Sequence, residues 1–143
     1  MIREIKSTDY NGLMELYLHL HEKTIPDIED ISFTWEHILN DPNYHIIVSE
    51  EDGILAASVT CVIIPNLTRN GSPYAFVENV VTHSAHRRKG LASACLEYAK
   101  KLAIEKGCYK MMLLTGTKDE SIKDFYRSNG YNSEDKTAFI MWL

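Results

Sequence analysis

Arg87-Arg88-Lys89-Gly90 is the stretch of this chain whose residue types speak most directly of chemistry. Three successive cations and a glycine come after the β-branched run Val77-Glu78-Asn79-Val80-Val81-Thr82. They open a helix-patterned segment whose first turn, Leu91-Ala92-Ser93, holds only small or apolar residues. The first N–H groups of a helix have no internal partner, the helix dipole makes that end partly positive, and a glycine lets an anion come close to the main chain. The combination is an anion site, and a phosphorylated ligand is the first function it implies. A nucleotide-hydrolase phosphate loop is excluded, because Gly-Lys-Ser/Thr does not occur at the glycine.

The elements that must position this turn are legible on both sides of it. Tyr74–Thr82 reads as the strand entering it, and Gly90–Lys106 as the helix leaving it, with Leu91, Cys95, Tyr98, Ala99, Leu102 and Ala103 at helical spacing and Gly107 as its stop. Tyr109–Leu114 is a strongly apolar strand, which makes the unit a βαβ crossover if it pairs beside the strand before the helix. Upstream, Ile2–Lys6 alternates as a short strand. Ser7, Thr8 and Asp9 offer caps to a helix carrying Leu13, Leu16, Tyr17 and Leu20 and ending near His21–Lys23. Ser32 offers a cap to a second helix built on Trp35, Ile38 and Leu39, leaving the acidic Pro26–Asp30 segment as a loop. Tyr44–Ser49 and Ile54–Ile64 flank Glu51-Asp52-Gly53 and predict a hairpin. Downstream, Asp119 caps a helix with Ile122, Phe125 and Tyr126 inward and Gly130 as its end, and Ala138–Leu143 supplies a last strand. The order β-α-α-β-β-β-α-β-α-β predicts an α/β protein of the mixed-sheet (α+β) kind, with helices on both faces and one domain over residues 1–143.

Composition narrows the partners. Lys+Arg of 15 against Asp+Glu of 20 gives a net charge of −5, which disfavours a duplex nucleic acid or an anionic membrane surface. Cys61, Cys95 and Cys108 are odd in number and widely spaced, suggesting neither disulfides nor a zinc site; no metal is expected. Charges in Met1–Lys6 and the lack of a long apolar run point to the cytoplasm. Ala138–Leu143, an apolar edge strand hazardous if left bare, implies a homodimer.

Arg87-x-x-Gly90-x-Ala92 between a strand and a helix, with Phe125-Tyr126 later in the chain ahead of Gly130-Tyr131, resembles the GNAT superfamily of acetyl-CoA-dependent N-acetyltransferases, with its (Arg/Gln)-x-x-Gly-x-(Gly/Ala) signature. Val77-Glu78-Asn79-Val80-Val81 and Gly107-Cys108-Tyr109-Lys110 are similar to the small glucosamine-6-phosphate N-acetyltransferases within it. Asn79 and Leu114 depart from that subfamily, each standing where it has an acidic residue. The resemblance implies a GNAT-like fold and acetyl-CoA as acetyl donor. It also implies that the amides of Arg88, Lys89, Gly90, Leu91, Ala92 and Ser93 wrap the coenzyme A pyrophosphate, that Val80, Val81 and Thr82 meet the pantetheine arm, and that Asp119 stands at a coenzyme A contact. Arg87, Arg88 or Lys89 would add a charge-assisted phosphate contact.

Acetyl transfer to an amine requires a deprotonated amine, a polarised thioester carbonyl and a proton for the departing thiolate. Tyr126 is the candidate acid, since a phenol with an ordinary pKa of about 10 is nearly matched to a thiol. Glu78 is the candidate base; strand alternation puts it on the face of Val80 and Thr82, among apolar neighbours. Cys95 on a buried stripe reads as packing, which favours direct transfer. By the same resemblance, the N-terminal helices and the loop with Asp27, Glu29 and Asp30, near Trp35 and Tyr44, would receive a small-molecule amine. The acceptor stays open among amino sugar, amino acid, polyamine and protein N-terminus, and a catalytically idle acyl-CoA sensor is the competing class.

Overall fold

The computed structural model describes residues 1–143. Five strands, β1 (Ile2–Glu4), β2 (Tyr44–Glu51), β3 (Ile54–Ile64), β4 (Tyr74–Thr82) and β5 (Met111–Leu113), lie in that order across one sheet. The first three pairings are antiparallel and β4–β5 is parallel, as the crossover reading requires. The β2–β3 hairpin closes on Asp52 and Gly53, both with positive φ (51° and 80°), the turn whose twist matches its strands.

Helices cover both faces. On one, α3 (Leu91–Glu105) turns Cys95, Leu96, Ala99 and Ala103 onto Ile47, Ala57, Val59, Cys61, Ala75 and Val77. Its small residues let the helix lie close to the strands. On the other, α1 (Tyr10–Tyr17) and α2 (Ile28–Asn40) bury Tyr10, Leu13, Leu16 and Trp35 against Ile46, Val48, Leu55 and Val81. The last helix, α4 (Glu120–Ser128), is capped by Asp119, whose Oδ1 accepts from the Ser121 N–H at 2.9 Å.

Four local expectations are corrected. Asp9 does not cap α1 through its side chain; its carboxylate takes two hydrogen bonds from Arg3 (2.6 and 3.0 Å) and, closing the preceding 3-10 turn Ser7–Asp9, one from the Lys6 N–H (2.7 Å), pinning β1 to the first helix. The α1 helix ends at Tyr17, and the chain continues in a tight turn through i→i−3 bonds from Leu18, His19 and Leu20. Asp27, not Ser32, caps α2 by accepting from the Glu29 N–H at 3.1 Å, so Glu29 and Asp30 lie in its first turn, where the helix dipole favours them, rather than in a loop. Ala138–Leu143 forms no strand within this chain; every residue from Asn132 onward is exposed.

Candidate active site

The cation-rich turn from Arg87 to Gly90 joins β4 to α3. After a short 3-10 turn (Ser84–His86), Arg88 and Gly90 both adopt left-handed backbone, with φ of 62° and 75°. Glycine takes that conformation freely, whereas arginine is held there at a cost. The first backbone hydrogen bond of α3 closes from the Ala94 N–H to the Gly90 carbonyl at 3.0 Å. None of the N–H groups from Arg87 through Ser93 has a backbone or side-chain acceptor, and Arg87, Arg88, Lys89 and Gly90 are exposed. No carboxylate neutralises the three cations; the Lys89 ammonium has only His86 Nδ1 nearby, at 3.5 Å. A run of free donors on an electropositive turn fits a pyrophosphate.

Directly before the turn, the sheet opens. The parallel pairing of β4 with β5 stops at Val77↔Leu113, whereas β4 continues through Glu78, Asn79, Val80, Val81 and Thr82 with no strand on that side. An extended ligand carrying amides can add there as a strand would. This slot and the turn adjoin, so Val80 to Thr82 and Arg87 to Ser93 form one continuous surface. A surface hollow lies at the opposite end of the strands, between the β3–β4 connection and Lys106.

A bulge rearranges the faces of β4. Thr60 pairs with Glu78 but Ser58 pairs with Val81, so two steps on β3 match three on β4. The extra residue falls at Asn79, whose φ is 51°. The alternation argument therefore fails: Val80 packs toward α3, while Glu78 shares the α1 face with Val81. Glu78 is also exposed rather than set among apolar neighbours. It lies within electrostatic reach of two half-buried phenols, Tyr44 and Tyr126.

Tyr126 sits on α4, its ring edge-on to Phe125 and Tyr131 and packed against the α3-side core. Burial first, and the Glu78 charge second, push its pKa above the ordinary phenol value, so it keeps its proton. A tie positions it: the Asn129 side-chain amide, at the end of α4, donates to Ser93 Oγ at 3.2 Å in the first turn of α3. Asp119 is the α4 cap described above and its Oδ1 is also held by the Ser121 hydroxyl at 2.8 Å. The buried thiols of Cys61 and Cys95 are each pushed up to about 12 by burial, which leaves Cys95 protonated and a poor nucleophile.

On the α1 face, the structure brings together polar groups that sequence reasoning missed. Ser58 Oγ and Thr60 Oγ1 are fully buried without a hydrogen-bond partner, beneath Tyr17 and beside Asn79. Burial raises the Tyr17 pKa, and the approach of Thr60, Ser58 and Asn79 offsets part of that rise. A signal exists in the sequence: hydroxyl residues at alternate positions 58 and 60 share one face of an otherwise apolar strand. Tyr17 gives none, since its spacing is that of core. Of the expected acceptor residues, Trp35 is core, edge-on to Tyr10 at 5.5 Å, while Asp27, Glu29 and Asp30 are exposed around the start of α2. Tyr44 stays half-exposed near Glu78. His19, in the turn after α1, lies 4.2 Å ring to ring from His83, which joins this face to the anion turn.

Known proteins share this fold. The chain is 25% identical over 140 residues to glucosamine 6-phosphate N-acetyltransferase of Trypanosoma brucei brucei, covering 94% of this chain and 90% of that one. The fold superposes with a TM-score of 0.94 on an Agrobacterium tumefaciens protein assigned as an acetyltransferase, at 36% identity over 100% of this chain and 99% of the other. It superposes at 0.88 on glucosamine-6-phosphate N-acetyltransferase of Arabidopsis thaliana, at 25% identity over 100% and 98% of the two chains. Residues 10–131 match the sequence model of the acetyltransferase (GNAT) family. With the crossover, the opened sheet and the donor-rich turn in place, the chain belongs to the GNAT family and is an acetyl-CoA-dependent N-acetyltransferase.

Proposed function

We propose that this enzyme acetylates a primary amine of a small molecule by direct transfer, with the donor held between the β4 extension and the turn from Arg87 to Ser93. The observation that carries this reading is the unbroken run of partnerless N–H groups continuous with the unpaired part of β4. When bound, acetyl-CoA supplies a thioester whose carbonyl carbon the amine attacks; a C–N bond forms and the C–S bond breaks. Glu78, exposed on the α1 face, accepts the amine proton through water. Tyr126, protonated because it is half-buried beside a carboxylate, gives its proton to the departing sulfur and regains one from solvent. A backbone N–H near Val80 or Val81 polarises the carbonyl. Asp119 borders the donor site as the cap of the helix bearing Tyr126.

The acceptor enters from the α1 and α2 side, where the partly exposed Tyr44 and Tyr17 offer polar contacts to a hydroxylated amine, with the buried hydroxyls of Ser58 and Thr60 behind Tyr17. An amino sugar suits such a wall, and the likeness to glucosamine 6-phosphate N-acetyltransferases supports that class. Free thiols and an acidic surface fit a reducing cytoplasm.

Calorimetric titration with acetyl-CoA, then a thiol-release assay over amino sugars with and without phosphate, aminoglycosides, polyamines and peptide N-termini, tests the reading. Saturable binding and amine-dependent thiol release from an amino sugar are expected. Binding without release on any amine would favour the sensor class, and release on peptides alone would move the acceptor to proteins.

A further inference from the structure

Three histidines that take no part in the transfer line one flank of the cation-rich turn. His19 comes from the turn after α1, His83 from the end of β4, and His86 from the 3-10 turn Ser84–His86. Their rings form a row: His19 and His83 lie 4.2 Å apart between centroids, and His83 and His86 lie 5.5 Å apart. All three are partly buried, whereas Arg87, Arg88 and Lys89 beside them are exposed. None of these residues pairs with a carboxylate. Beside unneutralised cations, a further positive charge on an imidazole is disfavoured until an anion arrives.

The three rings are not equivalent. His83 is committed: its Nδ1 accepts from the Ala85 N–H at 3.1 Å, capping the 3-10 turn, and its backbone N–H donates to the Ala56 carbonyl at 2.8 Å. A proton on Nδ1 breaks that cap, so the turn requires a neutral His83 with its proton on Nε2. His86 is free to change. Its Nδ1 faces the Lys89 ammonium at 3.5 Å, a contact only a neutral ring accepts, and a phosphate that draws Lys89 toward itself releases Nδ1 for a proton. At His19, burial first, then the neighbouring His83 and Arg87, hold the pKa below the ordinary imidazole value. A bound polyanion opposes the last of these influences.

We propose that His19 and His86 are further donor-binding residues, each taking up a proton from solvent as the phosphates of acetyl-CoA settle on the turn, while neutral His83 holds the turn in shape. This assignment rests on the proposed donor site and adds the groups that flank it. Binding and protonation are then linked, so the donor is held more tightly as pH falls. Guanidinium and ammonium groups keep their charge through neutral pH and bring no such dependence. The donor itself acts in the opposite direction: a phosphate monoester, with a second pKa of about 6, gives up a proton in a cationic site.

Calorimetric titration of the full chain with acetyl-CoA, repeated at one neutral pH in buffers of different ionisation enthalpy, counts the protons exchanged on binding. Net uptake is expected, about half a proton for each imidazole whose pKa rises by about one unit through the assay pH. For each half proton, Kd should rise about threefold per pH unit. His19→Gln and His86→Gln should each reduce the uptake, and the double variant should abolish it. His83→Asn, whose side-chain carbonyl still accepts from the Ala85 N–H, should leave it unchanged. Binding without proton exchange, uptake that survives the double substitution, or uptake lost in His83→Asn would each overturn the proposal and leave the donor site standing. If acetyl-CoA does not bind, the donor site and this proposal fall together.

Discussion

The molecule has two unequal parts. Every buried residue lies between Tyr10 and Ala103, where the sheet is covered by α1 and α2 on one face and by α3 on the other. Beyond Ala103 nothing is buried: β5 has three residues, and α4 is laced on its outer side by Glu120, Lys123, Asp124 and Arg127 in exposed ion pairs. Such pairs add little stability, so α4 depends on Phe125, Tyr126 and Tyr131 and on the Asn129–Ser93 bond. The difference assigns tasks. The turn with the partnerless N–H groups is anchored in the well-packed part, where geometry is held. The phenol sits on the lightly packed part, held by the contacts of Phe125, Tyr126 and Tyr131 and by the Asn129–Ser93 bond.

The largest effect expected from crossing this division is catalytic. Tyr126→Phe keeps the ring packing but removes the proton donor, so turnover should fall by about 10²- to 10⁴-fold while acetyl-CoA affinity stays near that of the parent protein. Equal losses in both would make the residue a packing group. The parent pH profile sharpens the point: a pKa raised by burial keeps the phenol protonated to higher pH, so the alkaline limb of turnover should lie above the ordinary value of about 10.

Packing comes next. Leu96→Ala, in the α3 core, should cost about 2 to 5 kcal/mol in urea unfolding, whereas Ile122→Ala on α4 should cost below about 1 kcal/mol. Similar values at the two sites would erase the contrast between the two parts.

Alkaline stability should track the buried thiols of the first part. In the folded chain Cys61 and Cys95 are held protonated to about 12, whereas the unfolded chain ionises near 9.0. Their contribution is therefore complete below pH 9 and is lost as pH rises toward 12, by up to about 1.4 kcal/mol per pH unit for each thiol. The slope of stability between about pH 9 and 11 should flatten in Cys61→Ala/Cys95→Ala, and an unchanged slope would assign the loss to other groups.

The smallest effect tests the bulge. Asn79→Ala should destabilise by about 1 kcal/mol because alanine tolerates left-handed backbone poorly, and Asn79→Gly should cost clearly less. If both variants unfold at the same urea concentration, backbone strain is not what selects the residue.

Tyr74–Thr82, the cation-rich turn, the α3 stripe and the crossover are legible in the residues because each rests on short-range rules: β-branching, a helix start, spacing and a glycine stop. The expectation for Glu78 fails at one residue. Strand alternation assumes an unbroken ladder, and Asn79 inserts a bulge that only its pairing with β3 reveals. The start of α2 lies earlier than Ser32 implies because two capping residues compete, and Asp27 wins by having the Glu29 N–H within reach.

The amino-acid sequence by itself determined where most of the strands and helices fall, that a cation-rich turn with a glycine joins β4 to α3, and which family those pieces resemble, since each is encoded in neighbouring residues. Only the tertiary structure decided which face Glu78 occupies, that Arg88 must hold a left-handed backbone, that Tyr17, Ser58, Thr60 and Asn79 meet, and that Ala138–Leu143 finds no partner within its own chain. Those outcomes depend on register and on contacts between residues far apart along the chain, which no local pattern contains.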